Sequence, residues 1–161
     1  MSGARIRPAR RADIPALLGL MRELAAFEDY LAAFAVDAAA LQQRAFGPRA
    51  QCRIFVAEAA GELLGYAVAL AIPFTYDLRP NIRLKELYVV PGQRDAGLGR
   101  RLLARVAAWA LSQNAGRLQW DVLRGNQAAE RFYQRQGGQP EQKWCAYEMA
   151  LPALQALAAS A

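Results

Sequence analysis

The sequence predicts a single α/β (α+β) domain over residues 1–161, a mixed sheet of six to seven strands flanked by about four helices. Three observations predict it. Helical and strand spacings of apolar residues alternate along the chain, with no linker, repeat or low-complexity block to divide it. The composition, 55% hydrophobic and 21% charged, supplies enough apolar material for one core. A glycine-rich turn at residues 94–99 joins a strand to a long helical stripe.

Ile6-Arg7-Pro8 reads as extended chain. Asp13 stands in N-cap position with Pro15 after it, and Leu17, Leu18, Met21, Leu24 and Ala25 follow at helical spacing. A short helix spans about 37–46, stopped by Gly47-Pro48. Residues 53–58 read as a strand that turns at Ala60-Gly61-Glu62 into a hairpin partner over 63–72. A third strand covers 82–90 and ends at Pro91-Gly92. Leu98, Leu102, Leu103, Val106, Trp109 and Ala110 form the stripe of the long helix, which Gly116 closes. A strand over 117–123 then leads to a helix over 127–136, closed by Gly137-Gly138. Residues 143–151 read as a last strand before an Ala-rich tail.

The net charge is +6, nearly all of it arginine, with lysine only at Lys85 and Lys143. The arginines are scattered rather than run together, which argues against nucleic acid and for a small polyanionic partner. No apolar run is long enough for a membrane span, and no apolar segment follows the arginines near the start. Cys52 and Cys145 stand far apart in apolar company, as buried reduced thiols of a cytoplasmic protein do. Histidine is absent, so neither a His base nor a His metal site exists, and no metal is expected. Serine is confined to Ser2, Ser112 and Ser160, with no nucleophile-elbow pattern. Proton traffic falls to Asp, Glu, Tyr, Cys and water.

Residues 89–99 read Val-Val-Pro-Gly-Gln-Arg-Asp-Ala-Gly-Leu-Gly. A turn of this kind at a helix N-terminus aims backbone N–H groups at one point and suits a pyrophosphate. Gly97 and Gly99 let phosphate oxygens approach the backbone, and Arg94, Arg100 and Arg101 bring charge. A P-loop is excluded, because Gly99 is followed by Arg100-Arg101 rather than Lys-Ser/Thr. A dinucleotide fingerprint fits poorly, since Leu102 occupies its third glycine position, although Asp121 stands near the ribose-binding acid's place. A plain tight connection remains the bland alternative.

The order Val-x-Pro-x-x-Arg-x-x-Gly-x-Gly-x-x-Leu-Leu, Val89 to Leu103, resembles the pyrophosphate motif of the GNAT superfamily of N-acetyltransferases. A second block agrees: Asn126, Phe132-Tyr133 and Gly137 resemble the family's segment near the thiol of coenzyme A. Ile6-Arg7-Pro8-Ala9, Arg22-Glu23-Leu24-Ala25, Phe27-Glu28, Phe74-Thr75-Tyr76-Asp77, Glu86-Leu87-Tyr88-Val89 and Trp144 are similar to the spermidine/spermine (diamine) N-acetyltransferase group.

The resemblance implies direct transfer of acetyl from acetyl-CoA to a primary amine, in a homodimer. It assigns acetyl-CoA to the backbone of Leu87, Tyr88 and Val89, to the turn Arg94-Asp95-Ala96-Gly97-Leu98-Gly99 with Arg100, and to Asn126, Ala129 and Tyr133. Tyr133, seven residues after Asn126 and so about two helical turns on, is the candidate acid for the leaving thiolate. Glu86, Glu28 and Asp77 are candidates to bind the amine and accept its proton, and Glu86 shares a strand face with Leu84 and Tyr88. Phe27, Glu28, Asp77, Lys85, Glu86 and Trp144 are candidates for the amine site. Three positions depart from the polyamine pattern: Arg79, Lys85 and Lys143 each add positive charge or remove negative charge. Such charges disfavour a polycation and favour an amine that also carries a carboxylate, such as an amino acid or thialysine-like compound. The alternatives are a non-catalytic acyl-CoA-binding or regulatory domain and a protein N-acetyltransferase.

Overall fold

The computed structural model describes residues 3–161 and divides the chain into two compact units, Met1–Gly125 and Asn126–Ala161. The first unit holds β1 (Arg5–Pro8), α1 (Ile14–Phe27), α2 (Ala38–Arg44), β2 (Arg53–Ala59), β3 (Glu62–Ile72), β4 (Asn81–Val89), α3 (Leu98–Ser112) and β5 (Arg117–Gln119). The second holds α4 (Gln127–Arg135) and α5 (Leu151–Ala158). Short 3-10 turns at Arg11–Asp13, Leu31–Ala33 and Pro91–Ala96 complete the elements.

The sheet runs β1-β2-β3-β4-β5, antiparallel except for the parallel β4–β5 pair. It has five strands among the described residues, fewer than the six or seven expected. Two expectations account for the shortfall. The strand expected over 117–123 pairs only through Gln119. Residues 143–150 carry no strand, and the tail beyond is the helix α5, with Pro152 in its first turn. Alternating apolar residues make a strand only where a neighbouring edge takes up their backbone groups. In this segment Trp144 and Tyr147 are exposed instead, and so is Cys145, against the expectation of a buried thiol.

The two sheet faces pack against different helices. Ile54, Val56, Tyr66, Val68 and Tyr88 face α1 and α2, meeting Leu17, Met21, Leu24 and Leu41. The other face carries the large Phe55, Ile82 and Leu84, but three of its residues, Ala57, Ala67 and Ala69, are small and fully buried. With Gly65, whose missing Cβ would lie 3.3 Å from Leu102 and 2.6 Å from the Tyr88 carbonyl, they let α3 sit close against the sheet. Leu98, Leu102 and Val106 of that helix have no exposed surface.

β3 and β4 slip register between Val68 and Ala69, which face Glu86 and Leu84 respectively. Lys85 is therefore the extra residue of a β-bulge. Residues opposite one another share a face, so Glu86 points with Val68 toward α1, and Leu84 points with Ala69 toward α3. The expectation that Glu86 and Leu84 share a face fails for this reason. A simple count of two cannot see an inserted residue.

Asp13 is the N-cap residue of α1, as expected, but its carboxylate has another task. Its carboxylate caps no α1 N–H; it accepts from the Arg7 guanidinium at 2.7 and 2.9 Å and from the Arg10 backbone N–H at 2.6 Å. Arg7 also donates to Glu58 at 2.5 Å, tying β1 to β2 and to the start of α1. The Arg7 hydrogen bonds hold the Asp13 carboxyl below its ordinary range. Its contribution to stability is thus full at neutral pH and fades as the pH falls through that lowered value. Asp13→Asn leaves a buried guanidinium with one partner fewer. It is expected to cost about 3 kcal/mol in urea unfolding, and the loss should shrink in acid.

Candidate active site

β4 and β5 pair at three positions only, Asn81, Ile82 and Arg83 against Arg117, Leu118 and Gln119. Arg117 fixes this short pairing. It donates to Asn81 and Asp77, each at 2.5 Å, and to the Tyr76 hydroxyl at 3.1 Å, and it lies over the Tyr76 ring. Asp77 further accepts from the Thr75 hydroxyl and the Arg79 N–H. Asp77 thus serves the strand junction. Arg79 holds the turn that follows α3 by donating to the carbonyls of Asn114 and Ala115.

Beyond Arg83 the two strands part. The Val90 N–H donates to the Leu64 carbonyl. By the alternation of an antiparallel ladder, the Tyr88 N–H turns toward β3 and those of Leu87 and Val89 toward the opened edge. A cleft of about 310 Å³ lies at the fork, lined by Glu28, Arg83, Leu84, Lys85, Asp121, Val122 and Leu123. Arg83 is ion-paired with Asp121, while Lys85 is exposed. Burial pushes the Glu28 carboxyl up. Two basic and two acidic side chains therefore line one small volume, and Arg83 and Asp121 are paired with each other.

Glu86 sits half-buried on the α1 face with its Oε2 fully covered. Desolvation raises its carboxyl above the ordinary range, and the Glu28 charge adds to the rise. Tyr88, next on this face, donates to Glu23 at 2.7 Å.

The glycine turn follows directly. Pro91–Ala96 form a 3-10 turn that includes Asp95, and Gly97 takes φ +73° as it enters α3. A Cβ on Gly97 would meet nothing within 4 Å, so space above that backbone is open. Leu98 anchors the helix start in the core, and the Arg101 N–H closes back on the Gly97 carbonyl at 3.1 Å. The N–H groups of Leu98, Gly99 and Arg100 precede the first intrahelical bonds, as at any helix N-terminus. The three arginines divide their work. Arg94 donates to the Val89 carbonyl at 3.0 Å and stacks over Phe27 and Tyr88 at 5.5 and 5.7 Å. Arg101 donates to the Ala4 carbonyl, and Arg100 is exposed.

In the second unit, Asn126 caps α4 by accepting from the Ala129 N–H at 3.1 Å. Tyr133 lies two turns on, half-buried, its ring edge-on to Phe132 at 5.1 Å. Gly137, at φ +93°, ends the helix in a Schellman turn: Gly138 donates to the Tyr133 carbonyl and Gly137 to that of Gln134. Trp144 is exposed beneath the Lys143 ammonium, 4.9 Å from its ring.

Sequence reasoning missed Tyr66, whose hydroxyl is buried on β3 without a partner. Its only signal was a tyrosine in phase with Val56 and Val68 on a core-facing stripe. The Arg83–Asp121 ion pair was missed as well, because it depends on where β5 lies.

The profile of the Acetyltransferase (GNAT) family matches residues 20–138. The chain is 30% identical over 169 residues to the thialysine N-epsilon-acetyltransferase of Mus musculus, covering 98% of this chain and 99% of that protein. It is 30% identical over 141 residues to spermidine/spermine N(1)-acetyltransferase-like protein 1 of Homo sapiens, covering 82% of this chain and 20% of that one. Among solved structures, an integron cassette protein of V. cholerae superposes with TM-score 0.80 at 23% identity, covering 98% of each chain. The aminoglycoside acetyltransferase meta-AAC0020, from an uncultured soil metagenomic sample, superposes with TM-score 0.77 at 17% identity over 92% of this chain and 96% of that one. These two share the fold. The chain belongs to the GNAT acetyltransferase family and is an acyltransferase enzyme. No helix among the described residues is long and apolar enough to cross a membrane.

Arg94→Ala removes both stacking contacts and the tether to Val89. Amide hydrogen exchange across residues 91–97 is expected to speed up severalfold, a loss of about 1 kcal/mol in local stability.

Proposed function

We propose that this enzyme transfers the acetyl group of acetyl-CoA directly to the primary amine of a small molecule, and that this acceptor also carries a carboxylate. The opened edge of β4, ending at a left-handed glycine that heads α3, is the observation that carries the reading. The Leu87 and Val89 N–H groups suit a carbonyl oxygen and an amide arm. The turn from Gly97 to Arg100, open above Gly97, suits a pyrophosphate. Bound acetyl-CoA supplies an activated acyl carbon and a thiolate that leaves.

The chain's own residues then manage two protons. An aliphatic amine with a pKa of about 10 is mostly protonated at neutral pH. Glu86, its carboxyl raised by burial, accepts the amine proton. Tyr133 donates its hydroxyl proton to the departing sulfur, and the second proton that the nitrogen loses as the amide forms restores the tyrosine. Fixed N–H donors in a water-poor site are worth about 3 kcal/mol each. Neither histidine nor a metal is needed for any of this.

Glu28 provides the negative end of the acceptor cleft and Lys85 its accessible positive end. With Asp77 held by Arg117, little anionic charge is left to face a polycation. An amino acid with a side-chain amine matches this pair of charges better than a polyamine does. The Mus musculus relative, named for thialysine, supports the same choice. Phe27 and Trp144 complete the candidate acceptor contacts. A cytoplasmic homodimer is the working form we propose, supported by Leu151, Leu154 and Leu157, exposed along α5.

Coenzyme A release measured across diamines, amino acids and peptides tests the whole reading. Lysine-like amino acids should exceed spermidine in kcat/KM by about tenfold or more, ~1.4 kcal/mol. Preference for spermidine would overturn the acceptor assignment, and no release with any amine would overturn acetyl transfer. Tyr133→Phe should lower kcat by about 100-fold while acetyl-CoA still binds. Gly97→Glu should abolish acetyl-CoA binding in calorimetry, since it fills the open space with a charge of the wrong sign.

A further inference from the structure

Among the described residues of the first unit, two buried side-chain polar atoms have no hydrogen-bond partner within 3.5 Å: the Tyr66 hydroxyl and Oε2 of Glu86. Tyr66 has no exposed surface. Folded chains pair nearly all such groups, so two orphans at one place call for a reason. They are neighbours. Tyr66 stands opposite Tyr88 and Val68 opposite Glu86, which makes Tyr66 and Glu86 diagonal partners on one sheet face. The adjoining Tyr88 hydroxyl is already committed to Glu23, and Ile54, Val56 and Val68 offer no polar atom. One orphan is a donor and the other an acceptor.

We infer that Tyr66 is a positioning residue for Glu86: its hydroxyl donates to Oε2, directly or through one bridging water, and leaves Oε1 to receive the acceptor's proton. The inference rests on the reading of Glu86 as the base. The proton passes from the ammonium nitrogen to Oε1, and Tyr66 keeps its own. Burial and the Glu86 charge push the Tyr66 hydroxyl far above its ordinary range, so it stays a donor at every working pH. The other groups that act on Glu86 are accounted for. Glu28 raises its carboxyl and Lys85 lowers it. The Tyr30 hydroxyl, pushed up to about 12, and the half-buried Cys52 thiol, pushed up by desolvation, remain neutral beside it.

A hydrogen bond donated to a carboxylate favours its charged form, so losing the donor raises its pKa. Tyr66→Phe keeps the ring and removes the donor. Two readouts apply: carbon-13 NMR titration of the Glu86 carboxyl in the unliganded enzyme, and the acid limb of kcat/KM. Both are expected to move to higher pH by about one unit, with the melting temperature unchanged or lower. If both stay in place and the melting temperature rises, as removal of an idle buried hydroxyl would cause, the inference is overturned. Glu86→Gln separates the two readings. An acid limb that survives in Glu86→Gln sinks Glu86 as the base. The NMR titration of Tyr66→Phe still decides whether Tyr66 acts on the carboxylate.

Discussion

Three residue pairs hold β4 to β5, and the proposed site depends on the pairing stopping there. A parallel strand that continued past Arg83 would take up the Leu87 and Val89 N–H groups and close the cleft. The chain prevents this by spending Arg117 on Asn81, Tyr76 and Asp77, which concentrates the junction at one end. Glu28, Lys85 and the turn before α3 are then gathered around an edge that stays open. The same strand is firmly held on its other side, where β3 pairs with it along its full length. One side is built for rigidity and the other for access.

The polar groups sort by the same division. Arg7 with Asp13, Tyr88 with Glu23, and Arg94 with Val89 are satisfied pairs that hold elements in place. Tyr66 and Glu86 are the exception, buried on the rigid side of the strand that carries the open edge. Their unsatisfied state lies next to the proposed chemistry rather than in the far core. Arg94 links the two regions, since its guanidinium rests on Tyr88 and Phe27 while its backbone belongs to the turn.

Local signals made much of this legible in the sequence. Leu98, Leu102 and Val106 at helical spacing marked α3, and Gly47, Gly61, Gly97 and Gly137 marked bends where φ is positive. Asn126 was singled out by its spacing to Tyr133, and it caps the helix that presents that residue. The rest depended on contacts that no window of residues contains. Asp13 looked like a cap because Pro15 and an apolar stripe follow it, but the buried Arg7 claims its carboxylate. Cys145, Tyr147 and Met149 alternate as strand residues do, yet a strand requires a neighbour. The bulge at Lys85 carries no glycine to announce it, so a count of two groups Glu86 correctly with Tyr88 but wrongly with Leu84.

That bulge makes residue 85 the one position of β4 that the ladder does not count. Any residue can fill it, and its charge can be exchanged without disturbing the strand. A β4 without it would run in regular register with β3, leaving Leu84 toward α3 and Glu86 toward α1, because consecutive residues of a regular strand face opposite ways. What the bulge adds is therefore a side chain and not an alignment: it sets Lys85 at the cleft, where Glu28 also lies. Descendants of this chain are free to vary residue 85, or to lose it, while the acid and the open edge keep their places.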